Sequence, residues 1–214
     1  RVKTLHPKIH AGILSKRKLK AHKNDLKKNN YNEIDLVIVN FYPFEKTLKQ
    51  SKNHEKIIEN IDIGGPTLVR AAAKNYNYVT IVTSISQYEE LIKNLNENKG
   101  ATSLEFRKKA ALEAFGETAY YDSLIFNYFK DISPNENSKK IILGLSEFEK
   151  LRYGENPHQS GTIYTRSKNL GLEKLNGKQL SYNNYADIFS ALQISKSFPN
   201  NKGTVIVKHG NPCG

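Results

Sequence analysis

The apolar positions of this chain fall into short runs separated by long polar stretches. Residues 35–40 hold Leu36-Val37-Ile38-Val39, a β-branched run that predicts a buried strand. It ends at Asn40-Phe41-Tyr42-Pro43-Phe44, where Pro43 lacks the N–H needed to continue a ladder. Further strands are predicted over 78–83 and at Thr204-Val205-Ile206-Val207, with an extended stretch near 162–165. Helices are predicted over 55–60, 67–75, 85–96, 103–129 and 185–197, while 15–30 reads as exposed helix or loop and the opening residues 1–7 as a loop. In the longest helix, Phe106, Ala110, Phe115, Ala119 and Leu124 are the expected core face. Strands alternating with helices predict an α/β fold with a parallel sheet. The polar, Pro-containing stretch 131–138 reads as a linker between two domains, 1–135 and 140–214.

Composition narrows the function classes. Lys and Arg number 33 against 21 Asp and Glu, a net charge of +12. Such charge admits phosphorylated substrates, nucleic acid or an anionic membrane surface, although like-charge blocks such as 16–30 read as solvated surface. Cys213 is the single cysteine, so no disulfide framework forms within the chain and a reducing, cytoplasmic compartment is expected. No apolar run approaches the roughly 18 residues of a membrane span. The chain opens at Arg1 and contains no Met, so its natural start is expected upstream.

Six clusters could carry chemistry. Arg1, Lys3, Thr4 and His6 before Pro7 offer several donors on one loop, suited to a phosphate or equally to an exposed basic turn. Asn40 and Tyr42 stand where a strand ends, the rim of a pocket or a packed Tyr-Pro turn. Asp62-Ile63-Gly64-Gly65-Pro66 makes a sharp turn into a helix. Its glycines allow close backbone approach, and Pro66 suits the first helical turn. Arg70 and Lys74 share a face of that helix, and a lysine shielded near other cations can exchange protons near neutrality, while a plain Gly-Gly-Pro helix entry with a solvated lysine fits the pattern equally. Leu151-Arg152-Tyr153-Gly154-Glu155-Asn156-Pro157-His158-Gln159 is too dense in functional groups for a plain turn. Its Arg152 suits an anion, its Tyr153 a flat base, and His158 reads as a structural hydrogen-bonder. Residues 181–187 read as an Asn-capped helix start. Lys208-His209, just beyond the last predicted strand, suits an oxyanion-stabilising cation beside a proton-transfer imidazole, the alternative being a strand-end loop with solvated charges. Cys213 lacks a partner cysteine and the histidines lack ligand spacing, so no metal is predicted.

In this order the clusters resemble the bifunctional purine-biosynthesis family in which 5-aminoimidazole-4-carboxamide ribonucleotide (AICAR) formyltransferase is joined to IMP cyclohydrolase. The resemblance is carried by Arg1-Val2-Lys3-Thr4-Leu5-His6-Pro7, Asn40-Phe41-Tyr42-Pro43-Phe44, Ile61-Asp62-Ile63-Gly64-Gly65, Ala71-Ala72-Ala73-Lys74-Asn75, the 151–159 motif and Val207-Lys208-His209-Gly210-Asn211-Pro212-Cys213-Gly214. Gly210 stands where Ala is expected in bacterial relatives. The likeness implies the C-terminal part of a methylglyoxal-synthase-like domain, followed by the start of a cytidine-deaminase-like transformylase domain. It also implies the last two steps of IMP synthesis: formyl transfer from 10-formyltetrahydrofolate to AICAR, giving FAICAR, then cyclodehydration to IMP. Neither step calls for a metal.

Residue roles follow from the same likeness. Arg1, Val2, Lys3, Thr4, Val39, Asn40, Asp62 and Ile63 would hold the cyclohydrolase nucleotide. Lys74 would transfer the proton, assisted by Lys3, Tyr42 and Asp62. Arg152 and Tyr153 would bind AICAR, His209 would act as general base and Lys208 would hold the oxyanion. A homodimer with a shared transferase site is implied, with AICAR, FAICAR, IMP and folate as partners and neither nucleic acid nor membrane. The competing readings are a basic nucleic-acid-binding module and a fragment without turnover.

Overall fold

The structure is a computed structural model describing residues 4–136, 138–166, 169–199 and 202–214. The chain forms two compact units, Arg1–Gly144 and Leu145–Gly214.

In the first unit, β1 (Leu36–Ile38) and β2 (Thr80–Val82) pair in parallel, with Val37 opposite Ile81. Parallel strands need a crossover, and here it contains α3 (Phe44–Gln50), α4 (His54–Glu59) and α5 (Gly64–Lys74). Helix α5 packs on both strands and on α7 (Leu104–Ile132). Ala71, Ala72 and Ala73 on α5, with Ala110, Ala111 and Ala114 on α7, belong to one buried cluster with Val37, Val69, Val79 and Ile81. Small residues on both helices let their axes approach closely over the sheet. Strand β2 is buried throughout, as expected of a parallel strand covered on both faces. Strand β1 departs from its expected burial: Val37 is inside, but Leu36 and Ile38 are exposed. Its neighbour in the ladder is β2 alone among the described residues, and the apolar run therefore buries one face only.

Two helices begin at prolines that the sequence reads as loop or strand end. Helix α1 (Pro7–Leu14) starts with Pro7 at its first position, and His6 caps it, Nδ1 accepting from the Lys8 N–H at 3.1 Å. Pro43 immediately precedes α3. A first-turn N–H has no intrahelical acceptor, so proline begins a helix as readily as it ends one. Asn75, buried after α5, donates to the carbonyls of Ile13 (2.7 Å) and Ser15 (2.9 Å), tying the end of α1 to the end of α5. Helix α2 (Lys20–Lys28) is basic and buries only Leu26.

Downstream of β2, a 3₁₀ turn (Ile85–Gln87) leads into α6 (Tyr88–Glu97), and Ser103 caps α7 by accepting from the Phe106 N–H at 3.1 Å. The buried face of α7 runs through Phe106, Ala110, Ala114, Thr118 and Tyr121. Phe115 and Ala119, expected inside, are exposed, because the true stripe keeps three- and four-residue steps without the five-residue jump from 110 to 115.

In the second unit, β3 (Ser146–Lys150) and β4 (Thr162–Thr165) pair antiparallel with a bulge between Glu147 and Glu149. Helix α8 (Tyr182–Ser195) follows a reciprocal cap between Ser181 and Asn184. The expected buried strand 204–207 is corrected. Only Val207–Lys208 is strand (β5), antiparallel with Asn211–Pro212 (β6), and Ile206 is 58% exposed. A two-stranded hairpin touching one helix has no second layer to bury both of its faces.

Candidate active sites

In the first unit, two clusters distant in sequence meet at one carboxylate. Asp62 is buried just before α5, where the helix N-terminus favours negative charge. Its Oδ1 accepts from the Gly65 N–H at 2.9 Å and its Oδ2 from the Tyr42 N–H at 3.4 Å. Asp62 thus joins the loop after β1 to the start of α5. A Cβ on Gly65 would lie 2.5 Å from Oδ2, so this carboxylate position requires glycine. Thr4 lies alongside: its carbonyl oxygen would be 3.6 Å from a Cβ on Gly64. Arg1, Val2 and Lys3, expected in the same pocket, lie outside the described residues.

Asn40 and Tyr42 line a cleft of about 430 Å³ at the carboxyl ends of β1 and β2, with Lys46, Thr83, Glu117 and Tyr120. This is the position where open α/β sheets bind ligands. Val39 is half-buried, its N–H donating to the Val82 carbonyl at 3.0 Å, and Ile63 is exposed at the start of α5. Glu117 remains accessible to solvent, yet desolvation by neighbouring atoms raises its carboxyl above the ordinary range.

Sequence reasoning missed Tyr121, which anchors Asp62 from behind. Its hydroxyl accepts from the Asp62 N–H at 2.8 Å and donates to the Asn60 carbonyl at 3.3 Å. The ring packs between Phe41 and Phe44, and burial is the main reason its phenol is raised above its usual value. A buried tyrosine needs a polar partner, but spacing along α7 cannot say which. Tyr121→Phe is expected to leave the Asp62 N–H without an acceptor and to cost about 1–3 kcal/mol in stability, measured by urea unfolding.

Lys74 is not beside Asp62. It is exposed at the last position of α5, about 15 Å along the helix from Gly64 at 1.5 Å per residue.

In the second unit, the 151–159 motif folds back on itself. The Gly154 N–H donates to the Gln159 carbonyl at 2.7 Å, and the Asn156 N–H to Gln159 Oε1 at 2.9 Å. The Arg152 guanidinium lies 4.9 Å from the Tyr153 ring centroid and donates to its hydroxyl at 3.3 Å. Hydrogen bonding to Ser181 and then to Arg152 lowers the Tyr153 phenol below its usual value. His158 lines a larger cavity of about 850 Å³ with Glu155, Tyr182, Tyr185 and Phe189. There the Tyr185 hydroxyl donates to Glu149 at 2.8 Å, and burial followed by that contact pushes its phenol up to about 12.

Lys208 and His209 are exposed on the β5–β6 hairpin. His209 and Gly210 have φ of 52° and 72°, the left-handed pair of a type I′ turn. Helix α8 connects this turn to the motif loop. The Tyr182 N–H donates to the Tyr153 carbonyl at 3.2 Å, and Asn183 to the Glu155 carbonyl at 3.0 Å. Five residues beyond Tyr182, Asp187 accepts from the Gly210 N–H at 2.7 Å. The 181–187 segment, legible in sequence only as a capped helix start, is therefore the platform for both residue pairs.

Among the described residues, no helix is long and apolar enough to cross a membrane.

Comparison with known proteins matches both parts of the chain. An MGS-like domain matches residues 1–67, and the AICARFT/IMPCHase bienzyme matches 72–214, the change falling inside α5. "Bifunctional purine biosynthesis protein PurH" of Nostoc sp. is 44% identical over 219 residues, covering 100% of this chain and 42% of that protein. The proteins of the same name from Caldicellulosiruptor saccharolyticus and Aquifex aeolicus are 45% and 44% identical, each aligned over 100% of this chain and 43% of its own length. The chain thus spans less than half the length of the curated relatives it matches. A solved structure titled "Crystal structure of ForH" superposes with a TM-score of 0.52 at 29% identity, covering 60% of this chain and 67% of that one. With its family model matched over most of its length, this chain belongs to the AICARFT/IMPCHase bienzyme family.

Proposed function

We propose that the polypeptide bearing this chain carries out the last two steps of IMP synthesis, formyl transfer to AICAR from 10-formyltetrahydrofolate and then cyclodehydration of FAICAR. The observation that carries the cyclohydrolase half is Asp62, a buried carboxylate bonded to both the Tyr42 loop and the start of α5. Residues 1–135 are the cyclohydrolase part and 140–214 the start of the formyltransferase.

Cyclisation joins the carboxamide nitrogen to the formyl carbon of one molecule and expels water, so much of the catalysis is positioning. Arg1, Val2, Lys3, Thr4, Val39, Asn40 and Ile63 bind the nucleotide. Asp62 and Tyr42 orient the reacting groups, with Lys3 close to them in role. Lys74 moves the proton. Lys3, Tyr42 and Asp62 assist it, and the family likeness supports a homodimer whose transferase site is shared between subunits.

Formyl transfer requires a weakly nucleophilic aromatic amine to attack a formamide carbon. Arg152 and Tyr153 hold AICAR, His209 removes the amine proton, and Lys208 stabilises the tetrahedral oxygen. The folate is a cosubstrate that supplies the formyl group. The lone cysteine, exposed and unpaired, suits a reducing cytoplasmic setting. The test is an assay of the full-length polypeptide with AICAR plus 10-formyltetrahydrofolate, and separately with FAICAR. Both substrates are expected to turn over, the second to IMP; consumption of neither overturns the reading.

A further inference from the structure

The Lys208–His209 turn has little backbone structure of its own to hold it. Its hairpin contains two residue pairs, Val207 with Pro212 and Lys208 with Asn211. Pro212 contributes no N–H to that ladder. At the open end, the Ile206 N–H donates to the Gly214 carbonyl and the Cys213 N–H to that of Ile206. At the turn itself, Asn211 Nδ2 donates to the His209 carbonyl at 3.0 Å. His209 is a non-glycine residue held at positive φ, a conformation that persists only where the surroundings fix it.

The fixing contact comes from α8. Asp187 is half-buried on that helix, and its Oδ1 accepts from the Gly210 N–H at 2.7 Å, a short bond to a charged acceptor. The helix is itself anchored by the Ser181–Asn184 cap and the Tyr185–Glu149 bond. Its first turn holds the loop of Arg152 and Tyr153 through Tyr182 and Asn183. From Tyr182 to Asp187 the helix rises about 7.5 Å, so one rigid element sets the spacing of the two residue pairs.

We propose that Asp187 is a positioning residue for formyl transfer: its carboxylate clamps the Gly210 N–H and thereby fixes the turn that presents Lys208 and His209. This rests on the reading of those two residues as oxyanion holder and base. Asp187 itself touches neither the amine nor the formyl donor. Its contribution is geometric, and a displacement of about 1 Å at a catalytic group is enough to lower a rate about a hundredfold.

The experiment compares Asp187→Ala, Asp187→Asn and His209→Ala in the full-length polypeptide, with formyl transfer and FAICAR cyclisation assayed separately. Asp187→Ala is expected to lower kcat for formyl transfer by about tenfold or more, with KM for AICAR changed less than about threefold, because binding by Arg152 and Tyr153 persists. Asp187→Asn retains a side-chain oxygen that can accept from Gly210 and is expected to restore most of the rate. Cyclisation is expected to be unchanged in both. A kcat for Asp187→Ala within twofold of wild type, a dominant change in KM, or equal loss in the Ala and Asn variants would overturn the proposal. Amide exchange on the present chain reads the clamp without reference to activity. The Gly210 N–H is expected to exchange faster in Asp187→Ala than in wild type while the α8 amides stay protected, and an unchanged Gly210 rate refutes it. Formyl transfer retained by His209→Ala would instead sink the parent reading of the site.

Discussion

Lys74→Ala is expected to abolish FAICAR cyclisation and spare formyl transfer, and His209→Ala to do the reverse. Each loss should reach about 10²–10⁴-fold, the range for removing a positioned proton-transfer group. The expectation rests on separation: Lys74 belongs to the first compact unit and His209 to the second. Neither variant should unfold its unit, since both side chains are exposed. Separate assays of the half-reactions decide the matter, and equal loss of both activities in each variant contradicts the division of labour. The distance along α5 sharpens the test. If Lys74 serves the site of a second subunit, mixing Lys74→Ala with Asp62→Asn subunits restores one working site in each mixed dimer, or about a quarter of wild-type cyclisation after random exchange. If both residues serve one site within a subunit, every site in the mixture that has Asp62 and Lys74 from one chain contains a lesion, and no activity returns.

That distance also marks the limit of what was legible in the chain. The parallel pairing of 36–38 with 80–82 follows from β-branched runs separated by helical patterns, and the strand ends place Asn40 and Tyr42 on a cleft. Motif order marked Asp62 as a candidate site residue. It could not show that Asp62 bonds to the Tyr42 backbone 20 residues earlier, or that its own N–H is held by Tyr121, 59 residues later. Such bonds depend on how helices pack, and hydrophobic spacing carries no record of which polar atoms meet. Pro43 does lie beyond the end of the strand, as expected, but Pro7 and Pro43 also mark helix starts in segments that read as loop in the sequence, since a residue that fixes φ is compatible with either until its neighbours are placed. Lys74 shows the converse. A short separation in sequence suggests proximity, but a straight helix converts that separation into length. Asp187 was hidden for another reason, since its partner is a backbone N–H that any residue at 210 could supply.

Gly65→Ala should separate stability from function at the first site. Alanine is a better helix former than glycine by about 1 kcal/mol in a helix interior, and Gly65 is the second residue of α5, so the backbone gains part of that preference. The new Cβ meets the end of the Asp62 side chain at 2.5 Å, and a carboxylate can swing away where a backbone atom could not. In moving, Asp62 gives up its bonds to the Gly65 and Tyr42 N–H groups, each worth about 1 kcal/mol net. The loss of about 2 kcal/mol exceeds the gain of under about 1 kcal/mol, and urea unfolding is expected to show a net destabilisation of about 1–2 kcal/mol with the protein still folded. The carboxylate, however, no longer stands between the Tyr42 loop and α5, where the cyclohydrolase reading requires it. Cyclisation is expected to fall about a hundredfold with formyl transfer intact, because a reacting group misplaced by about 1 Å loses that much. A folded Gly65→Ala protein that cyclised FAICAR at the wild-type rate would show that the position of Asp62 does not matter to the reaction, and the assignment of this turn to the active site would fail.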